Sequence, residues 1–195
     1  MAKCHQALDF SGPRVAGLRC LAIKRAFAQR LPDILYSRDR NMTNRDFYPF
    51  ESREASSLLL IPLRVRYKLD CAGIRLRLSQ WQALTHEEKV QLLRLPVDTA
   101  EERGAYKDAL IRMVSHLGGA ALAEEPVTGE EGWRITQDWP DVVLRQCKGQ
   151  HLALPPISQW QGLIEADRHA LFVLARSNHS QAEFVAAMAV LCGGG

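Results

Sequence analysis

The chain has 195 residues, 47% of them hydrophobic and 24% charged, with a formal net charge of +3. That length can bury a substantial core, and no apolar run approaches the ~20 residues that cross a bilayer; Leu58-Leu59-Leu60-Ile61-Pro62-Leu63, for one, is broken by a proline and followed by Arg64. Five scattered cysteines (Cys4, Cys20, Cys71, Cys147, Cys192) form no C-x-x-C pair, so neither a disulfide framework nor a zinc cradle is expected, and a reducing cytosol suits them.

Residues 1–41 carry eight Lys/Arg and three Asp, a net of +5. The rest of the chain is slightly acidic, which gives little reason to expect nucleic acid as a partner. Arg19, Lys24 and Arg25 interrupt Val15–Ala28, so this stretch lacks the 7–15-residue apolar core of a secretory signal. Residues 1–41 read as a flexible basic extension ahead of a start at Met42, with a targeting segment as the alternative.

From Phe47 the chain reads as helical. Pro62 suits the first turn of a helix, in which Ile61, Val65 and Leu69 recur every fourth position and should face the core. Gly73 fits the left-handed position that ends a helix. Leu76-x-Leu78 then makes a short extended crossing, and Ser79 can cap the helix that carries Trp81. Thr85-His-Glu-Glu88 is a capping box opening a helix to Leu95, which Pro96 stops. Thr99-Ala-Glu-Glu102 opens another, with Tyr106, Leu110, Met113, Val114 and Leu117 at helical spacing. His116 near its end complements the helix dipole. An acidic stretch, 123–132, with Pro126 and Gly129, reads as a surface linker.

The second half follows the same plan. Cys147-x-Gly149-x-x-Leu152-x-Leu154 answers Cys71-x-Gly73-x-x-Leu76-x-Leu78, and Ser158-Gln159-Trp160-Gln161 answers Ser79-Gln80-Trp81-Gln82. Asp138 and Pro140 open the first helix there, and Glu165–Ala175 and Ser180–Leu191 supply the last two. Such self-similarity indicates two copies of one supersecondary unit. The expected fold is all-α: two tandem, pseudo-symmetric helical units with short extended Leu-x-Leu segments that can pair between them. They form one domain over 47–195, with units of about 58–118 and 138–192 joined by the 123–132 linker.

Among candidate functional residues, Arg64, Arg66, Lys68, Arg75 and Arg77 fall within fourteen residues that hold a single acid, Asp70. With Ile61, Val65 and Leu69 facing inward, Arg64, Lys68 and Arg75 should lie on an exposed side. Such a run either solvates a helix face, with Arg66 or Lys68 paired to Asp70 or to the linker, or meets an acidic partner surface or a phosphate. Trp81 and Trp160 read as core anchors, and Cys71 and Cys147 as small buried residues. No two of the histidines have the spacing that puts paired metal ligands on one helical turn, and no phosphate-binding, nucleophile-elbow or zinc-protease motif is present. No metal, cofactor or catalytic residue is expected.

Phe50-Glu51, Ile61-Pro62-Leu63, Val65-Arg66-Tyr67-Lys68-Leu69-Asp70, Gly73-Ile74 and Trp81 resemble the nitrate reductase-associated protein family. Leu95-Pro96-Val97-Asp98-Thr99, Tyr106, Arg176-Ser177-Asn178-His179 and Phe184 extend the resemblance to about Leu191. It implies a small cytoplasmic, non-enzymatic accessory of assimilatory nitrate reductase, with Asn178 and His179 as further partner-binding candidates. The family pattern places a cysteine where Leu60 stands, another where Val97 stands, and a carboxylate where Ser180 stands; the missing cysteines argue against obligatory cofactor ligands there. The competing function class is a basic helical module that binds nucleic acid in regulation.

A chain beginning at Met42 is expected to melt at the same temperature as the full chain in differential scanning calorimetry. A large fall would make 1–41 an integral part of the core.

Overall fold

A computed structural model of the chain describes residues 46–117, 121–124, 126–127, 131–177 and 180–193. The expectations for 1–41 therefore lie outside the described residues.

The helices begin where side chains can satisfy their free N–H groups. Thr85 and Thr99 each accept the N–H of the residue three positions on, and Glu88 and Glu102 return their carboxylates to the threonine N–H. Both capping boxes expected from sequence are thus formed. In chain order the elements are α1 (Arg53–Ser56), α2 (Leu63–Cys71), β1 (Ile74–Arg75), α3 (Leu78–Ala83), α4 (His86–Arg94), α5 (Ala100–Ser115), β2 (Ala123–Glu124), α6 (Asp141–Gly149), α7 (Ile157–Gly162), α8 (Glu165–Arg176) and α9 (Gln181–Cys192). The architecture is mostly helical, as expected. His116 is the C-cap of α5.

Several local expectations shift by a residue or two. Pro62 and Pro140 are N-caps with extended backbone (ψ 151° and 136°), one position before the first turn. Ser79 lies inside α3, whose N-cap is Arg77, and the N-cap of α7 is Pro156 rather than Ser158. Gly73 does take the left-handed conformation, with φ 66°. Gly149 does not: it is the last residue of α6, and a Cβ there would meet nothing within 4 Å. His151 makes that turn instead, with φ 54°, and Leu152 N–H closes it on the Cys147 carbonyl at 2.9 Å.

The extended segment is Ile74–Arg75, and its partner is the linker. Ile74 lies opposite Glu124 and Arg75 opposite Ala123 in an antiparallel pair, so the pairing between two Leu-x-Leu segments does not form. Leu78 already belongs to α3.

Helix α8 packs against α6, α9 and α2, and α2 also packs against α4 and α5. Tyr48, Phe50 and Leu63 join Trp139, Val143, Trp160, Leu171, Phe184 and Met188 in one apolar cluster. Trp81 and Trp160 are fully buried, as expected. Their indole N–H groups donate to backbone carbonyls upstream, Trp81 to Leu58 at 3.0 Å and Trp160 to Ile135 at 2.8 Å. Burial of each ring contributes about 4–6 kcal/mol before entropy is counted, and the paired N–H avoids the cost of a stranded donor.

Leu58 carries the conformational cost of this arrangement. Its φ is 60°, in the left-handed region, although its side chain is only 2% exposed. A leucine there costs about 1–2 kcal/mol relative to a relaxed backbone, offset by burial of the side chain. Replacement by alanine keeps the strain and loses the burial, whereas glycine loses the burial and relieves the strain. Leu58→Gly is therefore expected to be more stable than Leu58→Ala by about 1 kcal/mol, the reverse of their usual order in loops. Urea denaturation of the two variants checks this.

Candidate functional site

The basic run on α2 is only partly a surface. Ile61, Val65 and Leu69 face the core as expected, but two of the cations thought to lie opposite them turn inward. Lys68 is half-buried, and its Nζ donates to the Leu93 carbonyl at 2.5 Å and the Leu95 carbonyl at 2.6 Å. These are carbonyls at the C-terminal end of α4, which has no later turn to bond them. Burial, with the Arg64 guanidinium nearby, pushes the Lys68 ammonium down to about 8. Arg64 lies over the Tyr48 ring, 4.4 Å from its centroid, and 4.0 Å from Asp167 Oδ1. Tyr48 Oη donates to the same carboxylate oxygen at 2.7 Å. A stem of three or four methylenes lets a cation on the flank of a helix reach back to a neighbour, which is why helical position alone misplaces Arg64 and Lys68. Arg66, Arg75 and Arg77 are exposed, and Arg66 Nε donates to the Ile61 carbonyl at 3.2 Å.

Asp70 pairs with neither Arg66 nor Lys68. Its Oδ2 is 2.7 Å from Nε2 of His169, which is completely buried on α8. A carboxylate at that distance requires a proton on Nε2, and His169 Nδ1 has no partner among the described residues. Tyr67 and Trp133 enclose the imidazole edge-on, with centroids 5.5 and 5.1 Å from it. Arg134 stacks on Trp133 at 4.3 Å, bridges Glu131 and Glu165 at 3.0 Å each, and approaches Cys71 Sγ at 3.9 Å. Burial pushes the Cys71 thiol and the Tyr67 phenol up, so both stay protonated. Arg168 donates to the Trp133 and Leu163 carbonyls. Sequence reasoning missed His169 and Trp133, because 99 residues separate His169 from Asp70 and no local pattern marks the pair. The lone acid in a basic run was the available hint.

Glu51 is the other long-range cap. Pro62 offers no side-chain acceptor to the start of α2, so Glu51 Oε1 accepts Leu63 N–H at 2.6 Å while Oε2 accepts Tyr48 N–H at 2.8 Å. Burial pushes its carboxyl up despite these donors. Beside it lies a cleft of about 130 Å³ between the α1–α2 segment and the α8–α9 corner, lined by Glu51, Leu60, Ile61, Arg66, Ser177 and Glu183 among others. Asn178 and His179 lie outside the described residues, but their neighbours Ser177 and Ser180 line the cleft. Of the three departures from the family pattern, Leu60 and Ser180 line it and Val97 is buried in the core. Pro62, Gly73, Trp81 and Trp160 act structurally; Gly149 only ends α6.

Among the described residues no three His, Cys, Asp or Glu side chains converge as a metal ion needs, Cys71, Cys147 and Cys192 are free thiols, and no helix is long and apolar enough to cross a membrane. These features define a mainly helical protein in which several polar side chains tie one element to another across the fold. The chain belongs to the conserved nitrate reductase-associated protein family, whose model matches residues 47–191. No curated protein and no solved structure matches it.

The lowered Lys68 value has a definite sign. Folded chains lose this proton near pH 8 and unfolded chains near the ordinary 10.5. Between those values unfolding takes up a proton, so the Lys68 contribution to stability grows as pH rises. The stability of the native chain relative to Lys68→Met is expected to increase across that window, measured by urea denaturation at a series of pH values.

Proposed function

We propose that this chain is a non-enzymatic, chaperone-like accessory of assimilatory nitrate reductase, acting in the cytoplasm. The observation that carries the reading is family membership across most of the chain. By holding an immature or cofactor-loading form of the enzyme, it would raise the competent fraction through preferential binding. The polar cluster around Asp70 and His169 supports this reading, since its groups are largely spent on one another and on backbone carbonyls. Inward-turned Arg64 and Lys68 interrupt the basic face that a nucleic-acid reading would use, which favours a protein partner. The cations left on the surface, Arg66, Arg75 and Arg77, lead the proposed contact set, with Asn178 and His179 as further members. The shared order of nine-residue helix, six-residue tryptophan helix and two further helices in 63–115 and 141–192 supports the reading that the halves are copies of one unit.

Affinity capture on the tagged full chain from nitrate-grown cells is expected to recover the reductase. Deleting the chain should lower the cofactor-loaded fraction of that enzyme without changing its transcript. Unaltered loading together with no recovered reductase would refute the proposal.

A further inference from the structure

We propose that the cleft between the α1–α2 segment and the α8–α9 corner is the docking site for a reductase segment that presents a bulky apolar side chain beside a carboxylate. This inference rests on the accessory reading above and names the surface that serves it.

The strained turn at Leu58 gives the first reason. Leu59 and Leu60 N–H both donate to the Glu54 carbonyl, at 2.8 and 3.1 Å, and Trp81 holds the Leu58 carbonyl. This clamp leaves Leu59 46% and Leu60 37% exposed, side by side. Non-glycine residues held in left-handed backbone concentrate where a surface has work to do, and here the turn holds two adjacent leucines at the surface, with Leu60 on the cleft wall. Behind Leu60 the cleft continues through Ala55, Ile61, Leu63, Val173 and Leu174. Its volume, about 130 Å³, is near the ~150 Å³ that accommodates a benzene-sized group.

Charge selects the occupant. Both carboxylates lining the cleft already accept backbone N–H groups, Glu51 from Leu63 and Tyr48 and Glu183 from Ser52 at 3.1 Å. Arg66 is exposed and held toward the cleft by its Nε bond to Ile61, and no carboxylate among the described residues pairs with it. An arginine with its terminal nitrogens available is suited to bidentate capture of a carboxylate. An apolar anchor with an adjacent acid seated on Arg66 therefore satisfies the site, since Glu51 and Glu183 already hold backbone N–H groups and Arg66 is the charge left to pair.

The test measures binding of the purified reductase to the full chain and to Arg66→Glu, Leu59→Ser/Leu60→Ser and, as a control on exposed α5 away from the cleft, Arg112→Glu by biolayer interferometry. Circular dichroism melts confirm folding of each variant. Arg66→Glu and the double serine variant are expected to weaken binding at least tenfold, and Arg112→Glu less than threefold. Photocrosslinking from benzoylphenylalanine at Leu59 should label a reductase peptide holding an aromatic or aliphatic residue next to Asp or Glu. Native binding that survives both cleft variants, or a label on a basic peptide, overturns the docking site while leaving the accessory reading intact. No binding by the native chain, with no crosslink, overturns both.

Discussion

His169 is buried away from water, and its Nε2 takes a partner from a helix 99 residues earlier in the chain. Its bond to Asp70 joins α8, which carries α6 and α9, to α2, which carries α4 and α5. Tyr67 and Trp133 close around the imidazole and keep it dry, while Asp70 remains half open to solvent at 47% side-chain exposure. Removing the carboxylate would strand a buried donor, which costs about 1–3 kcal/mol. The joint thus supplies orientation as well as energy, because the pair can form only when both helices are in register.

The same economy explains the basic run. Helix ends leave carbonyls and N–H groups that a proline cap cannot satisfy, and this chain satisfies several from a distance. Lys68 serves the end of α4 and Glu51 the start of α2, and Arg168 likewise reaches the loop carbonyl of Trp133, 35 residues before it. Charges that look like a binding stripe in sequence are therefore divided. Arg64 and Lys68 hold the frame together, while Arg66, Arg75 and Arg77 face outward. This division leaves a tied frame with a limited set of outward cations.

The strained Leu58 turn connects stability to the proposed contact. Trp81 is fully buried and needs an acceptor for its N–H, the Leu58 carbonyl is that acceptor, and the consequence is a pair of leucines on the surface. The core anchor of the first half and the wall of the cleft are thus parts of one local arrangement, so substitutions at Leu58 should disturb both.

The amino-acid sequence by itself determined the features that depend on neighbours a few residues apart. Thr85 and Thr99 cap because their glutamates stand three positions on, Gly73 turns because it lacks a Cβ, and Ile61, Val65 and Leu69 are buried because their spacing puts them on one face. The tryptophans, too, were legible as core. Tertiary structure alone decided where α6 ends, since Gly149 was available but packing carried the turn to His151. It also decided that β1 pairs with the linker, that Lys68 and Arg64 turn inward, and that His169 meets Asp70. The physical reason is range: backbone conformation and capping respond to adjacent residues, whereas a long polar side chain goes wherever the finished fold leaves a carbonyl or carboxylate unsatisfied.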